Sequence, residues 1–275
     1  MTKALTESTV LSNGVKMPWL GLGVWKVKDD GEAERTVASA IEAGYRSIDT
    51  AAAYNNETGV GAGIRNSGIP RDEIFITTKI WNSHQGYETS LTAFEDSRRK
   101  LGVEVVDLLL IHWPVKEKFT ETWRALEKLY KDGYVRAIGV SNFHIHHLQA
   151  IEESGNIAPM VDQVEYHPLL TQQELLKYTK SKGIQLEAWS PLMQGNLDHS
   201  ILAEIGAKYG KSAAQVVLRW DLQNEVITIP KSINPIRLKE NAAIFDFSLT
   251  PEEMTQISAL NRDQRFGSDP EKFDF

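Results

Sequence analysis

The sequence predicts an α/β fold: a (β/α)8 TIM barrel with an N-terminal β-hairpin that caps the bottom and with extra helices. The chain has 275 residues, which is a typical length for one such barrel. Short apolar runs alternate with helical patterns about eight times, as in parallel sheets whose strands are joined by helices. No linker, low-complexity stretch or block of charge interrupts the alternation, so residues 1–275 are expected to form a single domain.

The N-terminal hairpin is predicted from Thr9 to Leu20, where two short runs flank Asn13-Gly14. Asn-Gly tolerates the positive φ angles that a tight hairpin turn requires. The same stretch is also compatible with an ordinary N-terminal arm. The polar residues Met1 to Val10 contain no apolar signal core.

Eight apolar runs supply the predicted strands, at residues 45–49, 74–79, 105–112, 135–140, 161–166, 184–190, 226–230 and 244–247. The 3.6-residue pattern predicts helices at 31–43, 60–66, 87–101, 122–131, 144–153, 172–182, 201–209, 212–223 and 235–242. A last helix follows Thr250, which is placed to cap it, with Pro251 at its first position.

A doubly wound open sheet is the alternative fold. It would place a glycine-rich phosphate-binding loop directly after an early strand. The run Gly59-Val60-Gly61-Ala62-Gly63 offers glycines, but it follows a long loop and lacks the full spacing. The barrel is therefore preferred.

The composition excludes several classes of function. The chain has no cysteine, which rules out disulfides, zinc–thiolate sites and a thiol nucleophile. Its formal net charge of −7 argues against a general nucleic-acid binder, which needs a basic face. No apolar run approaches the ~20 residues of a membrane helix, and a cytoplasmic protein is expected.

Four residues capable of chemistry stand at or just after the ends of the first three predicted strands: Asp49, Tyr54, Lys79 and His112. In a parallel barrel these ends meet at the rim where catalysis occurs. A lysine ammonium beside a phenol favours the phenolate and lowers its pKa from ~10, and a carboxylate can anchor that lysine. Each residue alone is more often structural, as in a plain Asp–Lys ion pair, but the group of four favours a site.

The four residues predict proton delivery to a carbonyl oxygen, with Tyr54 as donor and His112 orienting that oxygen. Something else must then attack the carbonyl carbon. The sequence contains no Ser-His-Asp elbow and no cysteine, so hydride from a bound cofactor fits best.

The chain resembles the aldo-keto reductases over nearly its whole length. Three stretches carry the resemblance: Gly44 to Gly61, Arg136 to Phe143, and Ile229 to Ser232 with the residues after it. Within the family the chain is most similar to bacterial glyoxal and methylglyoxal reductases, near those that reduce 2,5-diketogluconate. The resemblance implies carbonyl reduction with Tyr54 as general acid and with Lys79 and Asp49 depressing its pKa.

The resemblance also implies a site for NADPH, preferred over NADH. Ser141, Asn142 and Gln163 would hold the nicotinamide carboxamide, and Trp189 would stack on its ring. The loop Ser190 to Gly195, with Leu192 and Gln194, would lie over the pyrophosphate. The remaining cofactor contacts would be Lys231, Ser232 and Arg237 at the 2′-phosphate and Glu240 and Asn241 at the adenine. Trp25, Trp81 and Trp113 would line the substrate pocket together with His112.

Two other hypotheses compete. Glu165 and His167, taken with His112 and Asp49, would suit a metal hydrolase, but that reading leaves Tyr54 and Lys79 unexplained. His144, His146 and His147 cluster at a helix start with no evident carboxylate partner, so no metal site is expected there.

A slow-turnover, cofactor-sensing subunit is a third possibility, although no added partner-binding segment is visible. The segment from Trp113 to Thr122 and the tail after Arg265 are short, which predicts an open pocket for small aldehydes and dicarbonyls. A keto-sugar such as 2,5-diketo-D-gluconate is the alternative substrate. A monomer is expected.

Overall fold

An eight-stranded parallel sheet forms the centre of the computed structural model, which describes residues 4–275. Met1–Lys3, the start of the polar N-terminal stretch, lie outside the described residues. The strands of residues 4–275 are β1 (Ser8–Val10), β2 (Lys16–Pro18), β3 (Leu22–Gly23), β4 (Ser47–Asp49), β5 (Phe75–Ile80), β6 (Val106–Ile111), β7 (Val135–Ser141), β8 (Val161–Glu165), β9 (Gln185–Trp189) and β10 (Ile227–Thr228).

Helices connect the strands of the barrel and cover its outside. They are α1 (Glu32–Glu42), α2 (Glu57–Asn66), α3 (Tyr87–Leu101), α4 (Phe119–Lys131), α5 (Ile145–Ser154), α6 (Gln173–Lys182), α7 (Ser200–Tyr209), α8 (Ala213–Gln223), α9 (Pro235–Ala242) and α10 (Pro251–Ser258). The predicted helices all form, although α2 and α4 begin three residues earlier than their apolar patterns indicated. The predicted cap is confirmed: Thr250 accepts a hydrogen bond from the backbone N–H of Glu253, and Pro251 is the first residue of α10.

The predicted hairpin is confirmed. Strands β1 and β2 pair antiparallel, and Gly14 in the turn between them has a φ of +86°. Thr9 Oγ1 donates to Gln185 Oε1 at 3.2 Å, and Asn13 Nδ2 donates to the backbone oxygen of Arg136 at 2.9 Å. Gln185 and Arg136 stand at the starts of β9 and β7, so the hairpin caps the bottom of the barrel.

The barrel closes between its first and last strands. Strands β3 to β10 lie side by side in chain order and run parallel. Leu20 forms a parallel bridge with Thr228, and the N–H of Gly21 donates to the backbone oxygen of Thr228 at 3.0 Å. These contacts join the segment that precedes β3 to β10, which removes the sheet edge.

The number of barrel strands is as predicted, but one member differs. Strand β3 was not predicted, because Leu22–Gly23 is too short to show a period. The strand predicted at residues 244–247 is wrong: Ile244 and Phe247 are buried, yet the stretch joins no sheet. Since the segment that leads into β3 already closes the barrel against β10, no edge is left for another strand.

The apolar core fills the space between the sheet and the helices. Its largest fully buried side chains include Trp123 of α4 and Trp220 of α8. Within residues 4–275, no helix is both long enough and apolar enough to cross a membrane.

Asp162 on β8 is a fully buried acid with no ion-pair partner among residues 4–275. Burial raises its pKa well above the usual carboxyl value, and the backbone N–H of Phe143 only partly opposes the rise. The folded chain therefore binds this proton more tightly than the unfolded chain does. Its contribution to the free energy of unfolding is largest below the ordinary carboxyl pKa and is lost as the pH rises toward the raised value.

We expect Asp162→Asn to remove this pH-dependent loss in the free energy of unfolding, because asparagine does not ionise. The melting temperature of the variant, relative to wild type, should increase between pH 4 and pH 8, by roughly 2 °C for each kcal/mol that is recovered. Calorimetric scans across that range measure the change. The exposed Asp198, replaced in the same way, is the control, and a difference for Asp162→Asn that stays constant with pH would contradict the prediction.

Candidate active site

Four polar side chains from four strands meet inside the upper part of the barrel: Asp49, Lys79, Gln163 and Glu187. Lys79 Nζ donates to Asp49 Oδ1 at 2.6 Å and to the backbone oxygen of Thr50 at 2.9 Å. Gln163 Nε2 donates to Asp49 Oδ2 at 2.7 Å and to Glu187 Oε2 at 2.8 Å. All four side chains are buried, so each depends on these partners in place of water.

Strand alternation puts these side chains inside the barrel. Successive residues of a strand point to opposite faces. On β5, Thr78 Oγ1 donates to Glu57 of α2 at 2.6 Å, which places Thr78 on the outer face and its neighbour Lys79 on the inner face. On β9, Glu187 and Trp189 share the inner face for the same reason.

The loop after β4 positions Tyr54. This residue ends a short 3₁₀ turn, Ala52–Tyr54, and its hydroxyl lies 3.5 Å from Lys79 Nζ. The buried side chain of Asn56 fixes the loop. Its Nδ2 donates to the backbone oxygens of Val24 and Val27, each at 2.9 Å, and its Oδ1 accepts from Thr50 Oγ1 at 2.7 Å.

His112, directly after β6, lies beside the phenol. Its ring packs edge-on against Tyr54 at a centroid distance of 5.7 Å and against Trp81 at 5.0 Å. Asn142 Nδ2 donates to the backbone oxygen of His112 at 3.0 Å, and Asn142 Oδ1 accepts from Trp189 Nε1 at 2.9 Å. The side chain of Asn142 thus links the ring of Trp189 to the backbone of His112.

The pKa of Tyr54 differs from the sequence-based expectation. Burial raises the pKa of Tyr54 above its ordinary value; the positive charge of Lys79 opposes the rise, and the negative charge of Asp49 adds to it. Lys79 therefore acts in the predicted direction, and its lowering of the pKa is larger than the rise caused by Asp49; burial outweighs both, so the net shift is upward. The sequence could not show how strongly the site excludes water. The phenol remains protonated at neutral pH.

The net pKa shifts of Lys79 and His112 are opposite, although burial disfavours the cation of both. Burial lowers the pKa of Lys79, but the charge and hydrogen bond of Asp49, with the charges of Tyr54 and Glu187, together outweigh burial and raise it. Burial also raises the pKa of Asp49, and the ammonium of Lys79 opposes that rise. Burial, together with the positive charge of Lys79, holds the pKa of His112 well below its usual value. At neutral pH the site thus presents a neutral phenol and a neutral imidazole beside a lysine cation.

A long cleft of about 1570 Å³ opens above this group. All the residues proposed from the sequence line it except Lys79, which is fully buried beneath its floor. They are Asp49, Tyr54, His112, Trp25, Trp81, Trp113, Ser141, Asn142, Gln163, Trp189, Ser190, Leu192, Gln194, Gly195, Lys231, Ser232, Arg237, Glu240 and Asn241.

The end of the cleft remote from the phenol is cationic. Lys231 and Arg237 are exposed there and form no ion pair with any residue from 4 to 275. The buried Ser232 lies between them in the chain, and Asn234 caps helix α9, from which Arg237 projects. Two unpaired cations and a hydroxyl suit a phosphate dianion.

The structure adds lining residues that the sequence reasoning missed. Lys26 and His84 border the cleft, as do Phe266 and Phe275 of the C-terminal tail. The Phe275 ring stacks on Trp81 with centroids 5.8 Å apart. The short tail was expected to leave the pocket open, but it forms part of the wall. Glu187 carried a sequence signal: an acid in the middle of a predicted barrel strand.

The residues of the metal-hydrolase hypothesis have other contacts. Glu165 accepts hydrogen bonds from the backbone N–H of Phe266 at 2.7 Å and of Gly267 at 3.2 Å, so it anchors the tail. His167 Nε2 lies 3.2 Å from Glu165 Oε1. Neither makes a contact with Asp49 or His112 that would share a metal among residues 4–275.

The histidine cluster does have a carboxylate neighbour, contrary to the sequence-based expectation. The tail brings Glu271 Oε1 to 2.9 Å from His144 Nδ1 and 3.3 Å from His146 Nε2. Arg265 Nη2 lies 3.3 Å from His144 Nε2, which assigns that nitrogen as an acceptor and Nδ1–H as the donor to Glu271. Both nitrogens of His144 therefore have hydrogen-bond partners.

Comparison with known proteins identifies relatives of the whole chain. Residues 19–262 match the model of the Aldo/keto reductase family. Glyoxal reductase of Bacillus subtilis (strain 168) is 59% identical, with 100% of each chain covered. Methylglyoxal reductase DkgA of Escherichia coli (strain K12) is 42% identical, with 96% of each chain covered.

A solved structure has the same fold. The crystal structure of a mutant of Gox0644 in complex with NADPH is 43% identical to this chain, with 98% of each chain covered. The TM-score is 0.93. The barrel, its hairpin and its cleft therefore belong to an architecture already observed with a bound dinucleotide.

We expect the His112 imidazole to remain neutral when the pH falls through 6.5, the ordinary histidine value, because burial and Lys79 both disfavour its cation. Nitrogen chemical shifts of labelled imidazoles measure this, and the exposed His146 provides the comparison. Lys79→Met removes one of the two causes, so the midpoint of His112 should move upward. A wild-type midpoint near 6.5 would contradict the prediction.

Proposed function

The chain belongs to the aldo/keto reductase family and is an NADPH-dependent oxidoreductase, and from this premise we propose that it reduces small aldehydes and α-dicarbonyls of the glyoxal and methylglyoxal type to alcohols. One observation carries the proposal. The Tyr54 hydroxyl lies 3.5 Å from the buried ammonium of Lys79, at the floor of a cleft that also contains His112.

The cleft fits the cofactor. Its volume of about 1570 Å³ exceeds the roughly 300–1,000 Å³ of pockets for drug-sized ligands, which suits a dinucleotide together with a small substrate. We assign Ser141, Asn142 and Gln163 to the carboxamide and Trp189 to the nicotinamide ring. The loop Ser190 to Gly195 then covers the pyrophosphate, Lys231, Ser232 and Arg237 hold the 2′-phosphate, and Glu240 and Asn241 contact the adenine.

NADPH, when bound, supplies the hydride that adds to the carbonyl carbon. The chain's own residues manage the proton. The Tyr54 hydroxyl donates its proton to the carbonyl oxygen as negative charge develops there, and the Lys79 ammonium stabilises the phenolate that remains. Asp49 holds Lys79 in place at 2.6 Å. The neutral His112 orients the substrate oxygen by a hydrogen bond.

The walls of the cleft support small, planar substrates. Trp25, Trp81 and Trp113 line the same cleft as Tyr54 and His112, and the Trp81 ring packs edge-on against His112. Phe275 and Phe273 pack on Trp113 at centroid distances of 5.3 and 5.2 Å, which narrows this end. The names of the glyoxal and methylglyoxal reductases among the relatives support the same class of substrate.

Tyr54→Phe removes the proton donor and keeps the ring. We expect kcat for methylglyoxal reduction to fall by about 10²–10⁴-fold, with unchanged affinity for NADPH. Loss of NADPH absorbance measures turnover, and quenching of tryptophan fluorescence measures binding. Tyr134→Phe removes a hydroxyl at the opposite end of the barrel and should behave as wild type. Retained turnover in Tyr54→Phe would refute the assigned role, and binding without turnover by the wild-type protein across several aldehydes would favour a sensor.

Arg237→Ala tests the 2′-phosphate site. We expect the Kd for NADPH to rise about 10- to 100-fold, because a charge-assisted contact is lost, while the Kd for NADH barely changes. Lys239 is exposed on the same helix but does not line the cleft, so Lys239→Ala is the control. Equal losses of affinity for both cofactors would exclude the assignment.

A further inference from the structure

Glu187 is a buried acid in the polar layer that the proposed chemistry does not use. It lies at the middle of β9, is fully shielded from solvent, and forms no salt bridge within residues 4–275. Its Oε2 accepts from Gln163 Nε2 at 2.8 Å, whereas its Oε1 has no hydrogen-bond partner. A buried carboxyl is costly, so its retention beside the cleft calls for a physical reason.

Gln163 is the residue that Glu187 constrains. An amide nitrogen has two hydrogens, and Gln163 Nε2 contacts two acceptors, Asp49 at 2.7 Å and Glu187 at 2.8 Å. Because the amide is planar, its Oε1 points away from both carboxyls. Gln163 also lines the cleft, so the oxygen is directed there.

We propose that Glu187 is a positioning residue which, together with Asp49, fixes the amide of Gln163 so that its oxygen faces the cleft and accepts a hydrogen bond from the carboxamide of the nicotinamide. This inference rests on the proposed function, in which NADPH occupies the cleft. Asp49 alone cannot fix the amide, because a single acceptor leaves one Nε2 hydrogen without a partner. Rotation of the amide would then turn Nε2 of Gln163 toward the cleft. There it would face the NH2 group of the carboxamide, which is also a donor, and no hydrogen bond would form.

The charge state of Glu187 affects the proton chemistry as well. Asp49, Lys79 and Tyr54 are the ionisable groups that act on it from the neighbouring elements. Burial, together with the negative charge of Asp49, raises the pKa of Glu187 to about 8. Below that pH the acid is mostly neutral and still accepts from Gln163. Above it a second negative charge appears near Tyr54, which raises the pKa of the phenol and weakens it as an acid.

Two substitutions of the full-length protein test the positioning role. Glu187→Leu removes the acceptor, and we expect the Kd for NADPH to rise about tenfold. Glu187→Gln keeps an acceptor oxygen at the same place and should bind NADPH as wild type does. Thermal unfolding shows whether the variants are folded at the assay temperature; we expect Glu187→Leu to lose some melting temperature, because one Nε2 hydrogen of Gln163 loses its acceptor, yet to unfold in one cooperative transition well above that temperature.

A cofactor analogue isolates the contact. In the 3-acetylpyridine analogue of NADPH a methyl ketone replaces the carboxamide, so the group that donates to Gln163 is missing. We expect Glu187→Leu and wild type to bind this analogue with equal affinity. An equal loss of affinity for NADPH and for the analogue would overturn the proposal, as would wild-type affinity for NADPH in Glu187→Leu.

The pH dependence of kcat is an independent readout. In wild type we expect kcat for carbonyl reduction to fall as the pH rises through about 8, and in Glu187→Gln this fall should move to higher pH. Asp162→Asn also replaces a buried acid by its amide, next to Gln163 in the chain but on the outer face of β8, and should keep the wild-type profile. The same profile in Glu187→Gln and wild type would contradict the role of the charge.

Failure of this proposal differs from failure of the proposed function. If Tyr54→Phe is inactive while Glu187→Leu binds NADPH normally, only the role of Glu187 is wrong. If Tyr54→Phe keeps its turnover, the proposed function itself is wrong.

Discussion

The buried ion pair between Lys79 and Asp49 is the contact on which the rest of the site depends. An ammonium without water is unstable unless a carboxylate lies against it, and a buried pair adds little net stability to a fold. Its value here is geometric. Lys79 and Asp49 project from adjacent strands of the barrel, so the backbone fixes the position of the Lys79 ammonium beside the Tyr54 hydroxyl.

The same exclusion of water sets the protonation states around that cation. Burial keeps Tyr54 and His112 neutral, and the charge of Lys79 makes loss of a proton from Tyr54 easier and its gain by His112 harder. In the proposed mechanism, this one fixed charge favours proton donation by Tyr54 and keeps His112 from competing for the proton. This division follows from the depth of the site beneath the cleft, and it suits reduction of a carbonyl near neutral pH.

The cleft is completed by segments distant in the chain. Trp189 at the end of β9 is tied through Asn142 to the backbone of His112, so hydrogen bonds connect one side of the cleft to the floor that carries Tyr54 and His112. Glu165 anchors the C-terminal tail through the backbone of Phe266 and Gly267, and Phe275 at its end stacks on Trp81. The shape of the pocket thus depends on the tail as well as on the loops that follow the strands.

The sequence by itself determined the alternation of strands and helices, the hairpin turn at Asn13-Gly14, and the group formed by Asp49, Tyr54, Lys79 and His112. These features depend on short-range periodicity and on the residues at strand ends, which can be read from neighbouring positions in the chain. It could not identify Leu22–Gly23 as a barrel strand, since the barrel closes where the adjacent Leu20 contacts β10, far away in the chain. Nor could it give the raised pKa of Tyr54, the bridging of Asp49 and Glu187 by Gln163, or the packing of Phe275. Each of these depends on which groups from distant parts of the chain lie in contact and how far they exclude water, and only the tertiary structure decides that.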